Sequence, residues 1–435
     1  MIKEYKGEFG DLGNFKFDTN EFEFINNHLV YKGTDPDNCV IPEGIIDCTR
    51  MFCNNKELKK APKIPESVLI LDYMFFGCEK LVNPPGIPEK AISCRGTFRG
   101  CTALNSAPVI PDNVVDCNEM FFECSSLSTP PVIPIGVNKI REMFKRSGIE
   151  TAPVIPLTVE NCERLFEDCI LLKKPPEIPD HIKNCEGFFR GCVGLEEAPI
   201  LPEHLANASE MFMNCVCIEK PPVLPQNLWK MTCMFSGCVE LREMPDLPDT
   251  VEFISSAFAY CVSLTKVKKI PEKIRSGLGM FEGSGITEPP VLPRKILNTS
   301  YMFKDCKNLT KAPELPLSVT KAVEMFSGCD SLEEPPVLPK RIESCSGMFA
   351  NCSKLRYAPV LPDTIKLADQ MFMGCQKIDK IPSFPEQLVK YDEMYKNCPN
   401  LVALESFPEL PTKKDYKEVF DKEIVDTVML NVLFG

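Results

Sequence analysis

Twenty-three cysteines in 435 residues are the first candidates for chemistry in this chain. That density raises three possibilities: disulfide bonding, zinc coordination by thiolates, and nucleophilic catalysis. Thirteen of them, from Cys78 to Cys398, stand three residues after an aromatic, as in Phe75–Cys78 and Phe326–Cys329. Six more, Cys48, Cys94, Cys117, Cys162, Cys185 and Cys345, stand four residues before it. Within one unit the two sets lie seven residues apart, which on a helix is about 10.5 Å and beyond disulfide reach. No Cys-x-x-Cys spacing occurs, so zinc-ribbon geometry is missing, and the total is odd. The positions fit a small buried hydrophobe. Only Cys39, Cys53, Cys217 and Cys233 fall outside the pattern as candidates for reactivity. So many unpaired thiols favour a reducing compartment.

Histidine offers little more. His181 and His204 occupy equivalent positions in consecutive units, next to Asp180 and Glu203, where a shared metal is conceivable. Coincidence on a solvated face is the simpler reading. No His-Glu-x-x-His, Gly-x-Ser-x-Gly, Walker or Gly-x-Gly-x-x-Gly signature is present. The sequence therefore assigns no catalytic, cofactor-binding or metal-binding residue, and no enzyme is expected.

What positions these residues is a repeat. An aliphatic-proline pair recurs from Pro42 to Pro385 at intervals of 23 residues, shortened to 22 at Pro156 and Pro293. With it recurs an aromatic column, from Phe52 through Phe75 and Phe98 to Phe372 and Tyr395. A period of this length means a solenoid, in which each unit buries its apolar face only by stacking on its neighbours. Val68, Leu71, Phe75, Cys78 and Leu81 fall three or four residues apart, which predicts a short helix in each unit. The proline suits the first helical position, and an acidic residue follows it in ten of sixteen units. Gly, Asn or Asp before the cysteine column, such as Gly77 and Asn214, reads as the helix stop. The following segment, LVNPPGIP and its equivalents, turns extended. It predicts a short parallel strand or a bare extended stretch, since proline cannot donate to a ladder. The expected fold is an α/β solenoid, a right-handed superhelix of about sixteen stacked 23-residue coils over residues 39–411.

The ends depart from the phrase. In residues 1–38, Phe15, Phe17, Phe22 and Phe24 alternate around Asp18-Thr19-Asn20, which predicts a β-hairpin cap. In residues 412–435, Tyr416, Val419, Phe420, Ile424, Val428 and Val432 fall on one helical stripe and predict a capping helix. The apolar run from Val428 to Phe434 would also suit a docking tail.

A formal charge of −12 disfavours non-specific nucleic-acid binding. The one basic stretch, Lys266, Lys268, Lys269, Lys273 and Arg275 with Arg294 and Lys295, reads as a solvated face. The N-terminal residues lack an apolar core of signal-peptide length, and no run of about 18 apolar residues predicts a membrane span.

The phrase resembles the BspA-like, or Treponema pallidum-type, leucine-rich repeats. The matching segments include Met74-Phe75-Phe76-Gly77-Cys78 and Met325-Phe326-Ser327-Gly328-Cys329, and the resemblance covers about residues 39–411. This chain departs in carrying Met where the family has Ala before Phe, and an added proline in the extended segment. The resemblance implies a leucine-rich-repeat solenoid with roles in adhesion and protein binding, and no catalytic residues.

Binding residues are then expected where strand side chains point outward, between the second proline and the inward Ile or Leu. Val109, Val132, Val154, Ile200 and Val223 occupy that column, and an exposed apolar stripe can mark a partner site. Trp229, the only tryptophan, is a second candidate. The expectation is a non-enzymatic protein-interaction scaffold with a protein partner, cytoplasmic or within a larger assembly. The alternative is an adhesin of a cell surface or virion.

Overall fold

The segment around each recurring aromatic is a run of tight turns, where the apolar spacing predicts an α-helix. In the computed structural model, which describes residues 2–6, 13–404, 406–412 and 414–434, the coil at 68–81 shows why. Leu71, Tyr73, Phe75 and Gly77 donate their N–H groups to carbonyls of the next coil, those of Ser93, Arg95, Thr97 and Arg99, at 2.7–3.0 Å. The intervening Met74, Phe76 and Cys78 donate to Leu71, Tyr73 and Phe75, each at 3.1 Å. Every second amide thus leaves the coil, and no i→i−4 ladder can form.

Tyr73 (φ 55) and Gly77 (φ 70) are left-handed, and the same two columns are left-handed at Glu119 and Glu123, Arg164 and Asp168, and Tyr301 and Asp305. A left-handed residue at every fourth position turns apolar side chains inward three or four residues apart, the spacing a helix would also give. The glycine column is left-handed as its residue types require, but it sits inside the turn ladder instead of ending a helix.

The extended segments likewise carry no strand among the described residues of the repeat. Adjacent coils meet in isolated parallel bridges, such as Ile70↔Ser93↔Asp116↔Lys139, and on the proline side Lys60↔Asn83 and Glu243↔Lys266. Pro84 and Pro85 remove the donors that would lengthen the second set into a strand.

The chain divides into two compact units, one of Met1–Leu205 with Met211–Cys217, the other of Ala206–Glu210 with Ile218–Gly435. The core of each is a column of parallel rings. In the first unit Phe52, Phe75, Phe98, Phe121, Phe144, Phe166, Phe189 and Phe212 stack with centroids 5.6–5.9 Å apart and planes within 12°. In the second, Phe235 to Phe372 continue into Tyr395 and then Phe420, with Tyr395 and Phe420 5.4 Å apart.

Beside each column run the cysteines, and they do more than fill space. Cys78 Sγ donates to the carbonyl of Phe52 in the preceding coil at 3.1 Å, Cys124 to Phe98 at 3.0 Å and Cys398 to Phe372 at 3.1 Å. The thiol satisfies a buried carbonyl that an alanine would leave with one partner fewer. This donor role is absent from a reading of the cysteines as hydrophobes alone.

The N-terminal residues form two antiparallel pairs, β1 (Ile2–Lys6) with β2 (Asn14–Asp18), and β3 (Phe22–Ile25) with β4 (His28–Tyr31). The turn at Asp18–Asn20 joins β2 to β3, which do not pair with each other as the predicted hairpin requires. Each finds its partner on its other side in sequence. Tyr31 reaches the first coil, donating its N–H to Met51 at 2.8 Å, with its ring 5.3 Å from Phe52. The C-terminal stripe is split between two helices, α1 (Tyr416–Val419) and α2 (Lys422–Phe434). Asp415 caps α1 through a capping box, and extended backbone at Phe420 separates the two helices. Val419, Phe420, Ile424 and Val428 are buried. The side chains of Val432 and of the rest of the apolar run after Leu430 lie outside the described residues.

Candidate protein-binding face

The extended segment before each anchor proline alternates its side chains. At 153–156, Ile155 points into the core and Val154 points out. The outward column is 82–92% exposed at Val109, Val132, Val154 and Ile200 in the first unit, and at Val223, Val291, Val337 and Val360 in the second. Proline neighbours hold these residues extended without shielding them.

In the first unit a second apolar column lies beside this one. Ile135 and Leu157 follow the anchor prolines Pro134 and Pro156, where most coils carry an acid, and both are exposed. The sequence held the signal in the exceptions to its acidic column, but sequence reasoning stopped at the rule. The two columns meet in a groove of about 880 Å³ lined by Ile135, Val154, Leu157 and Ile200, with prolines such as Pro153, Pro176 and Pro199 in its walls. Of the predicted residues, the groove therefore unites Val154 and Ile200. Val132 is exposed outside it, and Val109 lines a separate hollow of about 460 Å³ with Gly86 and Pro108. Val223 and Trp229 belong to the second unit. Trp229 packs edge-on against Phe253 at 5.4 Å and still leaves 42% of its surface exposed.

Three carboxylates border the groove. Away from the groove, Glu119 pairs with Arg95 and Arg99, and the buried Glu167 lies within 3.0–3.8 Å of Lys145, Arg164 and Arg190. Glu177, Asp180 and Glu197 line the groove, and no lysine or arginine lines it with them.

The remaining candidates are accounted for locally. His181 Nε2 lies 2.8 Å from the carbonyl of Val159. Among the described residues no group of three or more His, Cys, Asp or Glu side chains is placed to hold a metal ion. None of the twenty-three cysteines forms a disulfide, and only Cys217 is exposed, with Cys53 and Cys233 half-buried. Burial pushes the thiols of Cys78, Cys261 and Cys352 up to about 12, so these remain protonated and non-nucleophilic at neutral pH. Cys39, outside the columns, is raised to about 12 by the same cause.

With the turn ladder and its phenylalanine, cysteine and proline columns established, the comparisons fall into place. The model of the BspA-type leucine-rich repeat region matches residues 48–173, 162–287 and 291–402. The chain belongs to the BspA-type leucine-rich-repeat family. A crystal structure of a leucine-rich repeat protein from Bacteroides ovatus is similar at 20% identity, covering 83% of this chain and 94% of that one, with a TM-score of 0.59. A leucine-rich cell-surface protein from Faecalibacterium prausnitzii is similar at 17% identity, over 81% and 93% of the two chains, with a TM-score of 0.41. No curated protein matches the sequence. The BspA-type fold is a leucine-rich-repeat solenoid, and proteins of this kind are generally interaction scaffolds. Among the described residues of this BspA-type protein, no helix is long and apolar enough to cross a membrane.

Proposed function

We propose that this BspA-type chain is a non-enzymatic scaffold that captures a protein partner on its outward extended face. The observation that carries the proposal is the groove at 133–200, where Ile135, Val154, Leu157 and Ile200 keep large apolar surfaces in solvent. Scattered exposed apolar residues are ordinary, but a contiguous patch costs solubility and is retained where it binds. Val109 and Val132 extend the contact surface in the first unit, and Val223 and Trp229 supply a second patch in the other. Residues 1–38 and 412–435 act as caps on the repeat at 39–411, supported by the contacts of Tyr31 with Phe52 and of Phe420 with Tyr395. Twenty-three cysteines outside any disulfide support a reducing, cytoplasmic setting or a place inside a larger assembly.

The test is affinity capture from the organism that encodes the chain, comparing wild type with Val154→Asp/Leu157→Asp/Ile200→Asp. All three positions are exposed, so the variant should keep its denaturation midpoint while partner recovery falls at least roughly tenfold. Equal recovery with both proteins would remove the groove as the site.

A further inference from the structure

The groove also carries information about the chemistry of its occupant, an inference that rests on the scaffold reading above. Three side chains in its lining are charged, Glu177, Asp180 and Glu197, and all three are acidic and exposed. Among the described residues none of them forms an ion pair or a side-chain hydrogen bond, in contrast to Glu119 and Glu167 elsewhere in the same unit. Glu177 also interrupts the outward column between Val154 and Ile200, placing a carboxylate amid the apolar contacts. The prolines of the walls have no N–H to offer, so the groove cannot hold a segment by adding it as a strand along those residues. Recognition must come from side chains: apolar contact with Val154, Leu157, Ile135 and Ile200, and positive charge facing the three carboxylates.

We infer that the groove takes a protein segment in which apolar side chains stand next to lysine or arginine. Apolar burial supplies the affinity, and the unpaired carboxylates select the sign of charge and speed the encounter. An acidic segment is rejected at the same site, because its charge would lie beside three unneutralised carboxylates.

The probe is a set of short fluorescent peptides of one length: leucine-and-arginine, the same with glutamine for arginine, the same with glutamate, and one with serine for leucine. Anisotropy titrations use the full chain and Glu177→Gln/Asp180→Asn/Glu197→Gln, with sedimentation run in parallel. The leucine-and-arginine peptide should bind wild type roughly tenfold more tightly than its glutamine counterpart, and lose that advantage in the neutralised variant and at raised salt. The glutamate and serine peptides should bind least. Equal binding of the arginine and glutamine peptides overturns the charge assignment while leaving an apolar docking groove, so the scaffold reading would survive. Binding of no peptide overturns the inference outright, and affinity capture then judges the scaffold reading separately. Concentration-dependent dimerisation abolished by Val154→Asp would also overturn it, because the occupant would be a second copy of the chain.

Discussion

Raising the pH to about 10 should strongly destabilise the second unit through its buried thiols. The perturbed groups are its buried thiols. Cys261, Cys306, Cys345, Cys352 and Cys398 are each pushed up by burial from an ordinary 9.0 to about 12. An acid whose native value is raised keeps its proton longer in the folded chain than in the unfolded one. Its contribution to stability is whole below pH 9 and is lost as pH rises towards 12. At about pH 10 the folded thiols are still protonated while the unfolded ones are mostly ionised, a difference of ~1.4 kcal/mol for each. Burial raises Cys329 and Cys375 of the same unit as well, so seven thiols together amount to roughly 10 kcal/mol, within the ~5–15 kcal/mol that holds an ordinary domain. Trp229 is the only tryptophan and lies in this unit, so its fluorescence in urea reports the midpoint there. The control is Cys306→Ser/Cys352→Ser/Cys398→Ser, which carries the same lysines and tyrosines. Ser147 and Ser284 already occupy this column in two coils, so serine fits it. The variant should start less stable at neutral pH but, with Cys261, Cys329, Cys345 and Cys375 retained, lose only roughly 6 kcal/mol by about pH 10. An identical pH dependence in the two proteins would refute the claim that the thiols carry it.

Three further outcomes follow from the packing and the face. Phe326→Ala removes a ring stacked 5.7 Å from Phe303 and 5.6 Å from Phe349, and should destabilise the second unit by roughly 3–5 kcal/mol in the same fluorescence assay. A loss below about 1 kcal/mol would mean that the column is not what holds the coils together. Glu167→Gln removes a buried carboxylate shared by Lys145, Arg164 and Arg190, while Lys145 keeps Glu142 and Arg164 keeps Glu186, and should cost roughly 1–3 kcal/mol, read as faster hydrogen exchange in coils 144–190; unchanged exchange would show that the remaining partners satisfy those cations. Native chain treated with a thiol reagent at neutral pH should label at the exposed Cys217 first and leave the ladder untouched; rapid labelling of Cys352 or Cys261 would contradict the raised values there.

Much of the fold was legible because the repeat states its period and its inward residues outright: the anchor prolines, the phenylalanine column and the outward valines all lie where spacing placed them. What spacing could not reveal was the backbone path between them. Helix and left-handed turn ladder both bring side chains inward at three- and four-residue steps, and the difference lies in the φ of Tyr73 and Gly77, not in hydropathy. A finer pattern did encode it. Where one coil carries Asn or Asp in the left-handed column, the next carries Gly: Asn54 and Gly77, Asp168 and Gly191, Asp305 and Gly328, Asn351 and Gly374. The cause is space. A Cβ on Gly191 would stand 2.1 Å from Asp168 Oδ1, and Asp168 Oδ2 is itself engaged with Arg146 Nε at 3.3 Å. Gly191→Ala should therefore cost roughly 2 kcal/mol, about half from the left-handed backbone and half from displacing the carboxylate. Deleting the obstacle separates the two parts. In Asp168→Gly/Gly191→Ala only the backbone part remains, so the double variant should be about 1 kcal/mol more stable than the single costs added together. Strict additivity in urea denaturation would show that the pairing of Asp with Gly across coils has some other origin than the volume they share.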